Sequence, residues 1–542
     1  MKSLLNFRNK KAAYILIFFV LIAAGLHAIN IHFPCINSDE ASFAYNAYSI
    51  LKTGKDEYGV TMPSRFKAFG ENKLPVTIYS IVPFLAVFGL NDVSSRLPFI
   101  LLGVLSPILY YFVTKELFGN KKIALVAAFL SCLSPWIQIL SRHIHEAIII
   151  MHLGALSMMI LSKLMKKYEL RWVIWLAVLN GIGLFTYHIA KVFMVFFGLW
   201  LIGILYFDKK RSMSIIGKSL IIFLIPVVLF FTTEFLAPTN RVSNLLFINN
   251  QGFSLTIDEQ MREHPMRLIH NKLNYAMQVL TKQYISYFSP EFLVINGDAN
   301  KRFGFPGISP ISIVEYLFLF IGLYYLFHNK ERSRWLLVST LLFAPISAAL
   351  TWQEYSITRS FFMIVPILMI ASYGMYYAVK SVENNIFRLL VGLLIIGAFG
   401  YYSFFTWDFY FEHYPKRTEA IYGWQCGYQE LSKYIDQNYD RTDTFYITKK
   451  LGQPYIFTLF YRAYPPEKYQ KEAQLSKLDE YGFGQVEKYD KFEFHFATPD
   501  PKKNAVYVGY PDDFQGSTIP EKDIQKIKIY NDEVFWIYKS NK

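Results

Sequence analysis

The sequence predicts a mainly α, polytopic membrane protein of about eleven transmembrane helices, with further helices along the outer surface and a small C-terminal α/β domain. Three observations carry this. Of 542 residues, 53% are hydrophobic, and they gather in long, nearly uncharged runs of the ~20 residues that cross a bilayer. The net charge of +14 lies in short basic clusters between those runs, where cytoplasmic loops carry Lys and Arg, which argues against a nucleic-acid partner. Beyond Trp407 the composition turns charged and tyrosine-rich, with no run long enough to span.

In chain order, Lys2, Arg8, Lys10 and Lys11 precede an apolar run from Ala12 to Ile29, which reads as an uncleaved anchor entering from the cytoplasm. A polar loop, 30–94, follows. Within it Leu74 to Leu90 is apolar, but Pro75 and Pro83 suit an interfacial helix better than a span. Reading it so places every basic cluster on one side. The remaining spans are expected near 95–114, 123–140, 145–162, 172–188, 191–207, 213–234, 310–328, 335–351, 360–379 and 387–406. Residues 1–406 then form the membrane domain, the N-terminus is cytoplasmic, and the long loop 235–309 and the domain 407–542 lie outside the cytoplasm. In the long loop, Asp258 to Phe288 has helix-like spacing, followed by a Gly- and Asn-rich turn. In the C-terminal domain, strands are expected at 444–448, 455–461, 505–508 and 527–538, around a helix at 419–438. Cys35, Cys132 and Cys426 have no metal or redox spacing. Cys35 and Cys426 can pair only if the fold brings them together, and the reading favours no disulfide framework.

Asp39 and Glu40 stand directly after the first span. Asn37 is a candidate N-cap, and acids in a first turn favour the helix dipole, so capping is the plain reading. Neighbouring helix residues point about 100° apart, however, so one acid can serve the helix while the other faces a cleft and acts as a general base. Lys73 precedes the interfacial helix, at headgroup height, where an ammonium can neutralise a phosphate. Arg96, Arg142, Lys191, Arg302 and Arg359 add cations at predicted outer helix ends, against the positive-inside bias. Arg142 and Glu146, at i and i+4, suit a structural ion pair. His143, His145, His188 and Glu146 form only a weak metal signal, so no ligand is assigned; a divalent metal stays possible without one. Asp298 sits in the outer turn region. No Walker loop, dinucleotide fingerprint or nucleophile elbow is present, which argues against a sugar-nucleotide donor.

Asp39-Glu40 after a first span, then Lys73-Leu74-Pro75 opening an apolar helix, Phe88-Gly89-Leu90 and Arg96-Leu97-Pro98, resembles the GT-C membrane glycosyltransferases. Within them it is similar to the protein O-mannosyltransferase-like group and the bacterial aminoarabinose transferases acting on lipid A. Ser134-Pro135-Trp136 with Ser141-Arg142 and Glu146, and Tyr287 to Phe292 with Asn296-Gly297-Asp298, look like motifs of a bacterial branch. The resemblance covers about residues 1–406. It implies a sugar donor carried on a polyprenyl phosphate and transfer outside the cytoplasm of a bacterial inner membrane, to a protein, lipid or glycan acceptor. Asp39 matches the base, with Glu40 supporting, and Lys73 matches the lysine that holds the lipid phosphate. Relatives commonly have a second proline where Leu74 stands, and an arginine of their acidic motif has no counterpart in Asp39-Glu40-Ala41-Ser42-Phe43. The second phosphate-binding arginine has no clear match; Arg302 and Arg359 are the candidates, and Arg96, Arg142, Glu146, His188, Lys191 and Asp298 are further pocket candidates. The expected activity is inverting transfer to an acceptor hydroxyl. A flippase for a lipid-linked sugar is the alternative; it predicts two related halves and charges near the midplane, and neither is found in the sequence.

Overall fold

The computed structural model describes residues 10–69, 71–207, 212–236, 246–305, 307–477 and 486–540. Lys2, Arg8, Lys209, Pro306 and the start of the long loop, 237–245, lie outside them. The chain forms two compact units, one of Met1–Ile29 with Phe99–Phe411, the other of Asn30–Pro98 with Glu412–Lys542. The 30–98 segment therefore packs with the C-terminal residues, about 400 positions downstream, and the two make one body.

The first unit is helical. Among the described residues, seven helices are long and apolar enough to cross a membrane, or eight if the pair Lys121–Leu133 and Pro135–Ser141, bent by 51°, counts as one. The bend has a local cause. Ser134 ends one helix and caps the next, accepting from Ile137 N, and Pro135 occupies the first helical position, where its missing N–H costs nothing. Leu170–Leu184, Ile313–His328 and Arg334–Ala349 are shorter apolar helices at three further expected spans, so each expected span has a helix within a few residues. The multi-span membrane architecture is borne out. The helices' outward faces stay apolar and exposed, as on Asn385–Asp408, where Leu389, Leu393, Ile396 and Phe404 are more than half exposed. In water such a face would be an aggregation surface; in a bilayer it is matched to its solvent.

In the long loop, Asp258 to Phe288 falls in two helices, Gln251–Glu263 and Lys272–Ser286. Asn271 interrupts the pattern and caps the second, accepting from Asn274 N at 3.0 Å.

The second unit holds Ser38–Thr53, a short hairpin (Phe66–Ala68 with Glu71–Lys73), Pro75–Phe88 and a seven-stranded sheet. Pro75–Phe88 has 14 residues, about 21 Å at 1.5 Å per residue, and so falls short of the ~30 Å hydrocarbon core. In the sheet, Thr444–Ile447 runs parallel to Phe492–Glu493 and Ala505–Gly509, and the other pairings are antiparallel. The strands expected at 444–448, 505–508 and 527–538 are present, the last as the hairpin Ile524–Ile529 and Asp532–Ser540.

Three expectations are corrected here. The stretch 455–461 is a helix, Pro454–Tyr461, with every residue from Pro454 to Phe460 buried. A run apolar on all sides has neither strand nor helix periodicity, and Pro454 at the first position starts the helix. The expected helix 419–438 is two, Thr418–Gly423 and Tyr428–Asn438, separated at Gly427, whose φ of +100° suits glycine. The cysteine reading also changes. Cys35 and Cys426 form a disulfide across 391 residues, because the first loop and the C-terminal residues share one core. Cys132 is free and buried.

Candidate functional site

The Asn37 side chain accepts from Glu40 N at 3.1 Å, and Glu40 Oε2 accepts in return from Asn37 N and Nδ2. This reciprocal cap starts the Ser38–Thr53 helix and turns Glu40 inward. There its carboxylate meets Arg96 in a two-pronged pair, Nε to Oε1 at 2.8 Å and Nη2 to Oε2 at 2.7 Å. Arg96 also donates to the Pro34 and Cys35 carbonyls, at 2.7 and 3.2 Å. Both charges are fully buried, and their donors and acceptors are satisfied by each other and by the backbone.

Asp39, one residue earlier, points the other way. Its side chain is 59% exposed, and Oδ1 lies 3.3 Å from Lys73 Nζ. Lys73 also donates to the Asp39 main-chain oxygen at 3.0 Å. The lysine stem and ammonium are 4% exposed, packed over the Phe43 ring at 4.1 Å and beside Phe69 at 5.3 Å. The cation thus rests on an aromatic face with the Asp39 carboxylate at its mouth. Two residues 34 apart in sequence are brought together because the 66–73 hairpin folds back on the 38–53 helix.

Glu57 belongs to the same cluster and had no distinguishing mark in the sequence, where it reads as one charge of a solvated Lys-Asp-Glu-Tyr-Gly loop. It is buried. Asn46 donates to its Oε1 at 3.2 Å, and its own N–H donates back to Asn46 Oδ1 at 3.1 Å. Loss of hydration pushes its carboxyl up to about 8, against the Asn46 hydrogen bond and the nearby Lys73 charge, which pull the other way. The C-terminal residues Tyr455 and Tyr469 are among its neighbours. Other C-terminal residues anchor the loop elsewhere: Tyr45 Oη donates to Tyr464 O at 2.9 Å, Ser38 N to Gln425 Oε1 at 2.8 Å, and Gln470 Nε2 to Asp56 O at 2.8 Å.

A carboxyl raised in the folded state holds a proton there that the unfolded chain has already lost. Between about pH 4.5 and 8, Glu57 therefore lowers stability as pH rises. Glu57→Gln should remove that slope. The difference in melting temperature between variant and wild type in detergent is expected to grow in the variant's favour from pH 5 to pH 9. Parallel profiles would show that Glu57 ionises normally.

In the first unit, the remaining candidates fall into three places. Arg142 ends the Pro135–Ser141 helix and donates to the Leu26 and Ile29 carbonyls, at 2.5 and 2.9 Å, with its guanidinium over Phe411. A cation on the last carbonyls of Lys10–Ala28 complements the helix dipole. The expected i, i+4 pairing with Glu146 is corrected by this break: Glu146 opens the next helix, capped by His145, and its carboxylate lies 3.8 Å from His145 Nδ1. His188 is buried in the turn before Ala190–Phe207, and Lys191 meets Glu234 at 3.6 Å over the Phe230 ring.

Asp298 is the third place. It is buried, and it accepts from Asn300 N and Ile357 N, both at 2.7 Å. Loss of hydration pushes its carboxyl up to about 7, opposed by those two amides and by Arg359. The loop closes tightly here: a Cβ on Gly304 would lie 1.8 Å from the Asp298 carbonyl oxygen. Asp298 thereby clasps the 297–305 loop to the 353–357 loop. The same loop receives Trp136 Nε1 at Ile357 O (3.0 Å), while Tyr287 Oη accepts from Ser356 N at 3.2 Å. Phe292 lies between the Trp136 and Tyr355 rings. The motifs around Trp136, Tyr287 and Asp298 thus knit one layer. Arg359 donates to Thr351 Oγ1 at 2.7 Å, and Arg302 is half-exposed on the 297–305 loop. Among the described residues, no three His, Cys, Asp or Glu side chains are grouped to hold a metal ion.

A helical membrane unit, an acid pair in the first turn of the Ser38–Thr53 helix, and a lysine folded back onto it define a class. Residues 72–234 match the family model described as dolichyl-phosphate-mannose-protein mannosyltransferase. Among solved structures, the chain is similar to ArnT from Cupriavidus metallidurans in the apo state, at 12% identity and a TM-score of 0.52, covering 98% of both chains. It is also similar to ArnT bound to undecaprenyl phosphate, at 12% identity and a TM-score of 0.51, covering 96% of this chain and 97% of that one. The apo oligosaccharyltransferase of Archaeoglobus fulgidus matches at 13% identity and a TM-score of 0.51, over 84% of this chain, which spans only 64% of that enzyme's length. No curated protein sequence matches. The chain has the fold of the GT-C superfamily of membrane glycosyltransferases.

Proposed function

We propose that the chain moves a sugar from a polyprenyl-phosphate carrier to an acceptor hydroxyl on the extracytoplasmic side of a bacterial inner membrane, with inversion. The observation that carries this is the division of labour in the acid pair: Glu40 is locked on Arg96, while Asp39 is exposed beside the Lys73 ammonium. Asp39 takes the proton from the acceptor hydroxyl as its oxygen bonds to the anomeric carbon. The bond from that carbon to the phosphate oxygen breaks, and the polyprenyl phosphate leaves as an anion. Phosphate needs charge neutralisation, which Lys73 supplies, and no acid to protonate it. ArnT bound to undecaprenyl phosphate is a relative by fold whose ligand has the chemistry this reading requires.

Lys73→Met keeps the apolar stem on Phe43 and removes the charge. A hydrogen bond to a charged group contributes about 1.5–3 kcal/mol, so the KM for a polyprenyl-phosphate-linked sugar is expected to rise about 10- to 100-fold. Unchanged donor kinetics would remove Lys73 from the phosphate site.

A further inference from the structure

A groove of about 780 Å³ opens on the flank of the membrane unit, between the helices Lys10–Ala28, Lys121–Leu133, Ile364–Lys380 and Asn385–Asp408. Its walls are apolar: Ile15, Leu125, Val126, Met375, Ile395 and Ile396 are typical. One end is shut by a chain of rings, Phe19 to Phe129 at 5.6 Å and Phe129 to Phe399 at 5.3 Å. The other end is basic, rimmed by Lys122, Lys380 and Arg388, and none of the described lining residues is acidic. Arg388 is held by the Val382 carbonyl at 2.9 and 2.7 Å, whereas Lys122 and Lys380 are exposed.

The dimensions fit one kind of occupant. From Lys122 to Leu130 the helix rises about 12 Å, and from Arg388 to Phe399 about 16 Å. Half of a ~30 Å hydrocarbon core is about 15 Å. The groove, from its basic rim to the rings that stop it, thus has the length of one leaflet. Basic rims between membrane helices recognise anionic headgroups, and the apolar trough below has the length of an acyl chain.

We propose that this groove binds an anionic diacyl phospholipid from the leaflet on the basic-loop face, with its phosphate on Lys122 and Lys380 and its chains against the 385–408 helix. The site is independent of the Asp39 cluster, which lies in the other compact unit. Two variants separate headgroup from trough. Lys122→Gln with Lys380→Gln removes the two exposed charges. Gly392→Trp fills the trough from a position where an added Cβ meets nothing within 4 Å.

The test is native mass spectrometry of the purified full chain, delipidated and titrated with phosphatidylglycerol, phosphatidylcholine or undecaprenyl phosphate. Phosphatidylglycerol is expected to be retained in preference to phosphatidylcholine. At about 1 kcal/mol per lysine near a charged headgroup, the double Gln variant is expected to bind phosphatidylglycerol about 30-fold more weakly. Gly392→Trp is expected to lose it. Equal retention of the two phospholipids, unchanged binding by either variant, displacement of phosphatidylglycerol by undecaprenyl phosphate, or a second copy of the chain in place of lipid would each overturn the proposal.

Discussion

Asp39→Asn is expected to lower sugar transfer by about 10²- to 10⁴-fold, the range for loss of a general base, while the protein stays folded and still binds its lipid donor. The folding half of this follows from geometry. The Asp39 side chain is 59% exposed, and the helix it sits on is capped by Asn37 and Glu40, neither of which the substitution touches. The amide retains an oxygen near Lys73, so the aromatic cradle of that lysine is kept. What is lost is the capacity to accept a proton. Turnover by the purified variant, beside its melting temperature, separates the two halves. A variant with normal turnover would mean that another group is the base.

The largest effect on stability is expected one residue later. Glu40→Ala leaves the Arg96 guanidinium fully buried with two of its hydrogen bonds gone and its charge uncompensated. Breaking one side of a buried pair costs about 3–5 kcal/mol, a large share of the stability of most domains. It also removes half of the reciprocal cap on the Ser38–Thr53 helix. Removing both charges, as Glu40→Leu with Arg96→Met, is expected to be milder than Glu40→Ala alone, because no ion is then stranded. Thermal unfolding and detergent-soluble yield of the single and double variants measure this. A fully stable Glu40→Ala protein would mean that the pair is not structural.

The two neighbouring acids show what a sequence carries and what it withholds. Their adjacency after the first span was visible, as was Lys73 at the head of an apolar helix, because both are local patterns. Which acid faces inward was not, since it depends on Arg96 arriving 56 positions later with two backbone carbonyls already in its reach. The span positions were readable for the same local reason: an apolar run of the right length is its own evidence. Glu57 and the Cys35–Cys426 bond were not readable. Both belong to the unit in which C-terminal residues pack with the 30–98 segment, and the disulfide joins positions 391 apart. The Pro454–Tyr461 helix carries no helical signature in the sequence, because burial on every side erases the periodicity. Arg142 was drawn toward Glu146 by spacing alone, and the turn between their helices sends it instead to the end of the first span.

The division between the acids, and the chemistry assigned to them, come together in one assay. The purified chain is reconstituted with undecaprenyl-phosphate-linked sugars and a cell-envelope acceptor fraction, and free undecaprenyl phosphate and glycosylated acceptor are measured together. The proposed function predicts that the two appear in equal amounts, only when acceptor is present, and that both vanish in Asp39→Asn. Passage of intact donor across the bilayer with no release of undecaprenyl phosphate, or equal release by wild type and Asp39→Asn, would contradict it.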